Sequence, residues 1–268
     1  MNEGAFDPPA DRPIFRAAEA LITIGSAGAV FVAIAIAIRY WRTAGSAVPF
    51  FLLVGAGIAI MNEPLVDILG KCFHNGAARW RIFELFGRPI PAWGLFGYVI
   101  VYGVTAWCIL TTMRQGAGRA SFWTVIGAMC LIQVAMEMVI LPTNLYYYFG
   151  YQPWSFFGMP LFWLAINFAG TTLTAAVLTV TWRYWTGYRQ VLVLLLPAAT
   201  QVLGSYFIGL PVFAALHSDA PNFMIWFAGG LSLALALVVI DILGTISRRS
   251  IRLASTADSP SGGLAHPD

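Results

Sequence analysis

Seven stretches of this chain are each long and apolar enough to cross a membrane as a helix, and that requirement leaves few folds open. Crossing the hydrocarbon takes about 20 predominantly apolar residues, and such runs lie near residues 17 to 40, 47 to 70, 91 to 113, 121 to 142, 159 to 181, 190 to 216 and 222 to 246. In lipid each backbone N–H and C=O must be satisfied within its own segment, so these runs are expected to be helices in a bundle. Composition agrees: 59% of the 268 residues are hydrophobic and 10% are charged, against about 25% charged in soluble domains. The expected fold is an all-α integral membrane bundle of seven transmembrane helices. An external segment over 1–16 precedes the helical domain over 17–247, and the Ser-, Gly- and Pro-rich tail over 248–268 reads as disordered and cytoplasmic.

Arginine placement orients the bundle. Arg39 and Arg42, Arg114 and Arg119, Arg183 and Arg189, and Arg248, Arg249 and Arg252 follow runs one, three, five and seven. The positive-inside rule makes those ends cytoplasmic, with the N-terminus outside and the C-terminus inside. The loop over 71–90 opposes this with Lys71, Arg79, Arg81 and Arg88, whereas the other two external connections hold no Lys or Arg. The net charge of +3 is then a matter of membrane topology, without nucleic acid as a partner. The first run reads as a retained helix, since no small-residue cleavage site follows it. The location expected is the cell membrane, as a multi-pass protein of bacterial inner-membrane type.

Acids inside the runs carry the chemistry. A carboxylate in hydrocarbon costs roughly 2.5 to 3.5 kcal/mol even on lenient insertion scales, so it usually faces a cavity with a task. Glu63 and Glu137 occupy such positions, and each precedes a similar phrase: Phe86-Gly87-Arg88-Pro89-Ile90-Pro91-Ala92-Trp93, then Phe157-Gly158-Met159-Pro160-Leu161-Phe162-Trp163. The pattern suggests a tandem helix-pair repeat. At about 1.5 Å rise per residue, Glu63, Glu137 and Asn167 lie roughly 8 to 12 Å below the outer surface. Asp67 stands one turn from Glu63 on the same face, and Pro64 breaks the helix between them by removing a backbone donor. The bland alternative for each glutamate is a hydrogen bond that holds neighbouring helices together.

Around these acids the expected substrate-binding residues are Asn62, Tyr98, Tyr102, Gln133, Asn144, Tyr147, Trp163 and Asn167, with Gln201 and Asn167 also suited to bridging helices. The uncharged aromatic segment over 145–158 fits either an interfacial aromatic belt or a lid on the pocket mouth. Asp241 is expected to pair structurally with Arg248 or Arg249. His74, alone in a basic loop, is expected at the surface and not as a metal ligand. Cys72, Cys108 and Cys130 form no CxxC pair, so neither a disulfide framework nor a metal site is expected. Lys71 is the sole lysine and lies outside the runs, which excludes a retinal Schiff base. No aspartate-rich diphosphate motif, phosphate loop or haem-binding histidine within a run is present, and no cofactor is expected.

The Asn62-Glu63-Pro64-Leu65-Val66-Asp67 motif, followed by a carboxylate-bearing helix running into Leu141-Pro142-Thr143-Asn144-Leu145-Tyr146-Tyr147-Tyr148-Phe149-Gly150, resembles the AveC-like spirocyclase family of bacterial membrane proteins. The resemblance covers roughly residues 50 to 170 and carries over Glu63, Pro64, Asp67, Glu137, Pro142 and the Tyr146 to Phe149 run. The chain departs from the family pattern in having Asn62-Glu63 where an aspartate precedes the proline, and in a shorter loop after the second run. What the resemblance implies is acid-assisted ring closure of a lipophilic natural product, as in spiroketal formation on a polyketide. The architecture is also similar to integral-membrane terpenoid and meroterpenoid cyclases.

Carboxyl groups kept from water favour the neutral acid, which can protonate an apolar substrate while an ionised partner takes a proton back. The expected function is therefore a non-metal acid-base cyclase or isomerase acting on a lipophilic small molecule in contact with membrane lipid. Glu63, Asp67 and Glu137 are its expected catalytic residues. The alternative is a proton-coupled transporter of a small hydrophobic substrate, built on the same repeat.

Overall fold

A computed structural model describes residues 9–257, and among them seven helices are long and apolar enough to cross a membrane. Helix one spans Arg16–Ala44, helix two Val48–Gly70, helix three Ala92–Arg114, helix four Arg119–Thr143, helix five Leu161–Val180 and helix six Gly187–Leu216. Helix seven spans Asn222–Ala257. The chain is a multi-pass membrane protein. Helix seven runs past the expected start of the tail, so residues 248–257 are helical; the rest of the expected tail, and residues 1–8, lie outside the described residues.

Helix five is central and buried over most of its length, with Phe162, Ile166, Phe168, Ala169, Ala175 and Leu178 in the main core. It meets helix six through small residues: a Cβ added at Gly204 would stand 2.3 Å from the Gly170 Cα. Small residues let backbones approach this closely, and within a membrane such packing replaces the hydrophobic drive available in water. Helix four is packed differently. Only Phe122, Ile126, Gln133 and Ile140 are buried along its α-helical part, and most of its remaining surface faces outward.

Three helices depart from α geometry where polar side chains gather. Helix two changes to 3-10 over Ala59–Asn62 and resumes as α at Glu63, with Pro64 in its first turn. The expected proline break is therefore present, immediately before the acids. Helix three is π-helical over Val99–Val104 and helix six over Val202–Phe207. Such local π turns are rare and concentrate at functional sites.

The expectation of a purely α chain misses six short strands among the described residues. They are β1 (Cys72–His74), β2 (Arg81–Leu85), β3 (Arg88–Pro91), β4 (Tyr146–Tyr148), β5 (Ser155–Phe156) and β6 (Met159–Pro160). All three pairs are antiparallel: β1 with β4, β2 with β3, and β5 with β6. The two Phe-Gly phrases are the turns of the last two pairs. Phe86 and Gly87 have φ of 55° and 67°, and Phe157 and Gly158 have 49° and 84°. Positive φ at both central residues gives the twist a two-residue hairpin needs. Each hairpin then enters a helix through a proline, Pro91 or Pro160.

Candidate active site

Helix two ends at Gly70, and Lys71 adopts a left-handed conformation (φ 51°) that reverses the chain. The strand that follows runs back over the helix end. His74 is thereby buried, and its Nδ1 lies 2.9 Å from Asp67 Oδ2, a partner only seven residues earlier. The other ring nitrogen, Nε2, lies 3.8 Å from Glu63 Oε1. The ring is clamped between aromatic groups, stacked on Tyr146 at 5.5 Å and tilted against Trp93 at 5.2 Å. The expectation of a surface histidine is thus overturned, because the left-handed turn folds β1 inward and β4 covers it in the register His74 opposite Tyr146.

These groups border a cavity of about 110 Å³ that is also lined by Tyr98, Tyr102, Gln133, Glu137, Trp163 and Asn167. All three expected catalytic acids face it, as do five of the eight expected binding residues. Val66, Met136, Ile140, Gly94 and Gly97 supply apolar wall. Among the described residues, no Lys or Arg borders it. Five buried polar atoms of its lining have no hydrogen-bond partner: Asp67 Oδ1, Glu137 Oε2, Gln133 Oε1 and the indole nitrogens of Trp93 and Trp163. Buried polar groups are satisfied in the great majority of cases, so a ring of exceptions around one space marks a place for something polar.

A backing layer holds the carboxylate of Glu63. The Tyr98 hydroxyl donates to Glu63 Oε2, and Gln201 Nε2 donates to the Tyr98 oxygen at 2.6 Å. Asn62 Nδ2 then donates to Gln201 Oε1 at 2.9 Å and to the Ala198 carbonyl at 3.0 Å. Asn62 therefore braces helix two against helix six and does not line the cavity, which corrects its expected role as a binding residue. Across the cavity the Tyr102 hydroxyl donates to Asn167 Oδ1 at 2.7 Å, joining helices three and five.

Two further expected binding residues lie elsewhere. Asn144, in a left-handed turn, donates from Nδ2 to the Pro13 carbonyl, while its own carbonyl accepts from Asn75 Nδ2. Tyr147 points away from the site, because neighbours in a strand alternate faces. Its hydroxyl donates to the Ala10 carbonyl at 2.7 Å and its ring lies under Arg12. The same alternation turns Tyr146 and Tyr148 inward, so they border the cavity in its place. Part of the aromatic segment therefore borders the cavity, while Phe156 and Phe157 remain exposed.

Electrostatics follow from the arrangement. Burial pulls His74 toward the neutral form, but the charge and hydrogen bond of Asp67, with Glu63 and Glu137 behind, outweigh it and raise its pKa above the ordinary histidine value. Burial and the same carboxylates push the Cys72 thiol well above its usual range, which disfavours the thiolate. Glu63, Asp67 and His74 also present ligand-type atoms within 4.8 Å of one another. The grouping arises because a left-handed turn brings the histidine to acids from another secondary-structure element.

Asp241 sits apart, on helix seven. Its Oδ1 accepts from Arg119 Nε at 3.0 Å and from Trp123 Nε1 at 3.1 Å. The expected structural pairing is present with a different arginine, because Arg119 and Trp123 lie one turn apart on helix four and face helix seven together. Compared with family models, curated proteins and solved structures, the chain matches none of them.

Proposed function

We propose that the chain is an intramembrane acid-base enzyme that cyclises or isomerises a lipophilic natural product of terpenoid or polyketide spiroketal type, as in the AveC-like spirocyclases it resembles. The observation that carries this reading is the convergence of Glu63, Asp67, His74 and Glu137 on one cavity bordered by unpartnered polar atoms. Glu63 and Glu137, from facing helices, divide the acid and base roles, with Glu63 as donor. Asp67 fixes the ring of His74, whose Nε2 faces Glu63 and serves as a proton relay. The aromatic faces of Tyr98, Tyr146 and Trp163 suit a cationic intermediate.

A space of about 110 Å³ admits the reacting portion of a substrate, with the remainder of the molecule lying along the bundle. Helix four, with only Phe122, Ile126, Gln133 and Ile140 buried along its α-helical part, is the wall past which a lipid-dissolved molecule enters. In this reading the cavity lies toward the outer face of the cell membrane, as the arginine distribution supports. A duplicated helix pair, each copy opened by a Phe-Gly hairpin, explains why tryptophans from helices three and five, Trp93 and Trp163, both reach the cavity.

The test compares metabolites of cells producing the intact chain with those of cells producing Glu63→Gln, His74→Gln or Glu137→Gln. A product of altered ring skeleton should be present only with the intact chain. Full turnover of the identified substrate by both glutamate variants would end the proposal. Proton-coupled uptake into proteoliposomes without a new product would favour transport.

A further inference from the structure

The three orphaned side-chain oxygens around the cavity, Asp67 Oδ1, Glu137 Oε2 and Gln133 Oε1, have one chemical trait in common: as a carboxylate or amide oxygen, each accepts and needs a partner that is cationic or donates. Gln133 is buried to 7% exposure and Asp67 to 0%, so bulk water does not serve them. Among the described residues, no Lys or Arg borders the space. Facing these oxygens, Glu63, Asp67 and His74 each offer a ligand atom within 4.8 Å of the others.

The separations bring these groups within reach of a small divalent ion. Nitrogen and oxygen ligands bind first-row ions at about 2.0 to 2.2 Å, which sets neighbouring ligands about 3 to 3.6 Å apart. An imidazole offers one nitrogen to an ion, and His74 Nε2 lies 3.8 Å from Glu63 Oε1, while Nδ1 is held by Asp67 Oδ2 at 2.9 Å; one ligand atom from each of the three residues lies within 4.8 Å of the others. Side-chain rotation that draws the Glu63 and Asp67 carboxylates in from this spread toward one His74 nitrogen would place three ligands on one ion. Behind them stands the hydrogen-bonded support that metal ligands require: Tyr98 donates to Glu63 and is itself held by Gln201.

We infer that Glu63, Asp67 and His74 bind one divalent first-row transition ion, of the zinc or manganese kind that mixed imidazole and carboxylate donors select. Its remaining coordination positions open on the cavity, where bound waters donate to Gln133 Oε1 and Glu137 Oε2. The inference rests on the same cavity as the proposed acid-base chemistry and narrows it: Glu63 becomes a ligand, and Glu137 is the carboxyl left free for proton transfer.

The experiment measures Zn²⁺ and Mn²⁺ bound to the purified full chain in detergent, by elemental analysis after dialysis and by titration calorimetry, with Mg²⁺ as the contrast. One Zn²⁺ or Mn²⁺ per chain is expected, with affinity lost at least 100-fold in His74→Ala and in Glu63→Gln. Tyr98→Phe should weaken binding by about 10- to 100-fold through loss of ligand support. X-ray absorption of the zinc-loaded chain should show one imidazole among oxygen donors, and Asp241→Asn should bind as the intact chain does. Binding below a tenth of an ion per chain, or equal binding by His74→Ala and Glu63→Gln, overturns the inference. The second variant covers the case in which the first fails to fold. Undiminished turnover by chelator-stripped protein, with Glu63→Gln inactive, would remove the ion and leave the acid-base reading standing. Full turnover by Glu63→Gln and Glu137→Gln would remove that reading, while the metal count still decides the ion.

Discussion

Two aspartates in this molecule hold a basic partner at nearly the same distance, Asp67 with His74 at 2.9 Å and Asp241 with Arg119 at 3.0 Å, yet they do different work. The first pair is shut into a cavity, with exposures of 0% and 4%, while Arg119 is 68% and Asp241 33% exposed. An exposed pair is well solvated with or without its partner. A buried pair is kept by its surroundings, and losing one member strands the other. Distance alone therefore ranks these pairs as equals, and burial separates them.

The comparison breaks most sharply at Asp67. Asp67→Ala leaves the His74 ring buried without its acceptor and should cost about 3 to 5 kcal/mol, seen as a lowered unfolding midpoint in detergent. A double-mutant cycle with His74→Ala should show strong coupling, whereas the matching cycle for Asp241 and Arg119 should show none. Next in size is Gly97→Leu. A Cβ at Gly97 meets nothing within 4 Å and the residue borders the cavity, so the larger side chain should fill the space. At least a tenfold loss of turnover is expected with the unfolding midpoint nearly unchanged.

Gln133→Leu sharpens the contrast from the opposite direction. It removes a buried acceptor that has no partner, a feature that costs about 1 to 3 kcal/mol. The variant should be as stable as the intact chain or more so, yet less active, which thermal unfolding and turnover measured side by side will show. The smallest effect is expected for Asp241→Asn, with no measurable change in unfolding midpoint or turnover at physiological salt.

How much of this was legible in the chain depends on the range of the interaction involved. The seven helices follow from apolar length, a property of each segment alone, and they agree with expectation to within a few residues at most of their ends. Glu63, Asp67 and Glu137 were legible because a carboxylate in an apolar run is conspicuous by itself. Their meeting in one cavity depends on helix order around the bundle, which no single segment encodes. His74 was missed for a different reason. Its burial depends on the conformation of Lys71, a residue type that seldom adopts positive φ, and on β4 pairing from far along the chain. The available signal was proximity: a histidine seven residues beyond an acid, just past a glycine-ended helix. Asn144 and Tyr147 fall away from the cavity because of a left-handed turn and a strand alternation, the latter turning Tyr147 outward between two inward tyrosines.

The left-handed turn at Lys71 also shapes how the site opens. Loop-closure entropy grows with chain length, so joining Asp67 to His74 across seven residues costs little, and that half of the site is held together locally. Glu137 and Gln133 arrive on helix four, which shares with helix one the thinnest packing of the seven and so opens more readily than the central helices. The cavity thus has a fixed floor and a detachable wall. Hydrogen exchange along the chain should show this as slow amides at Asp67 and His74 beside faster ones at Gln133 and Glu137.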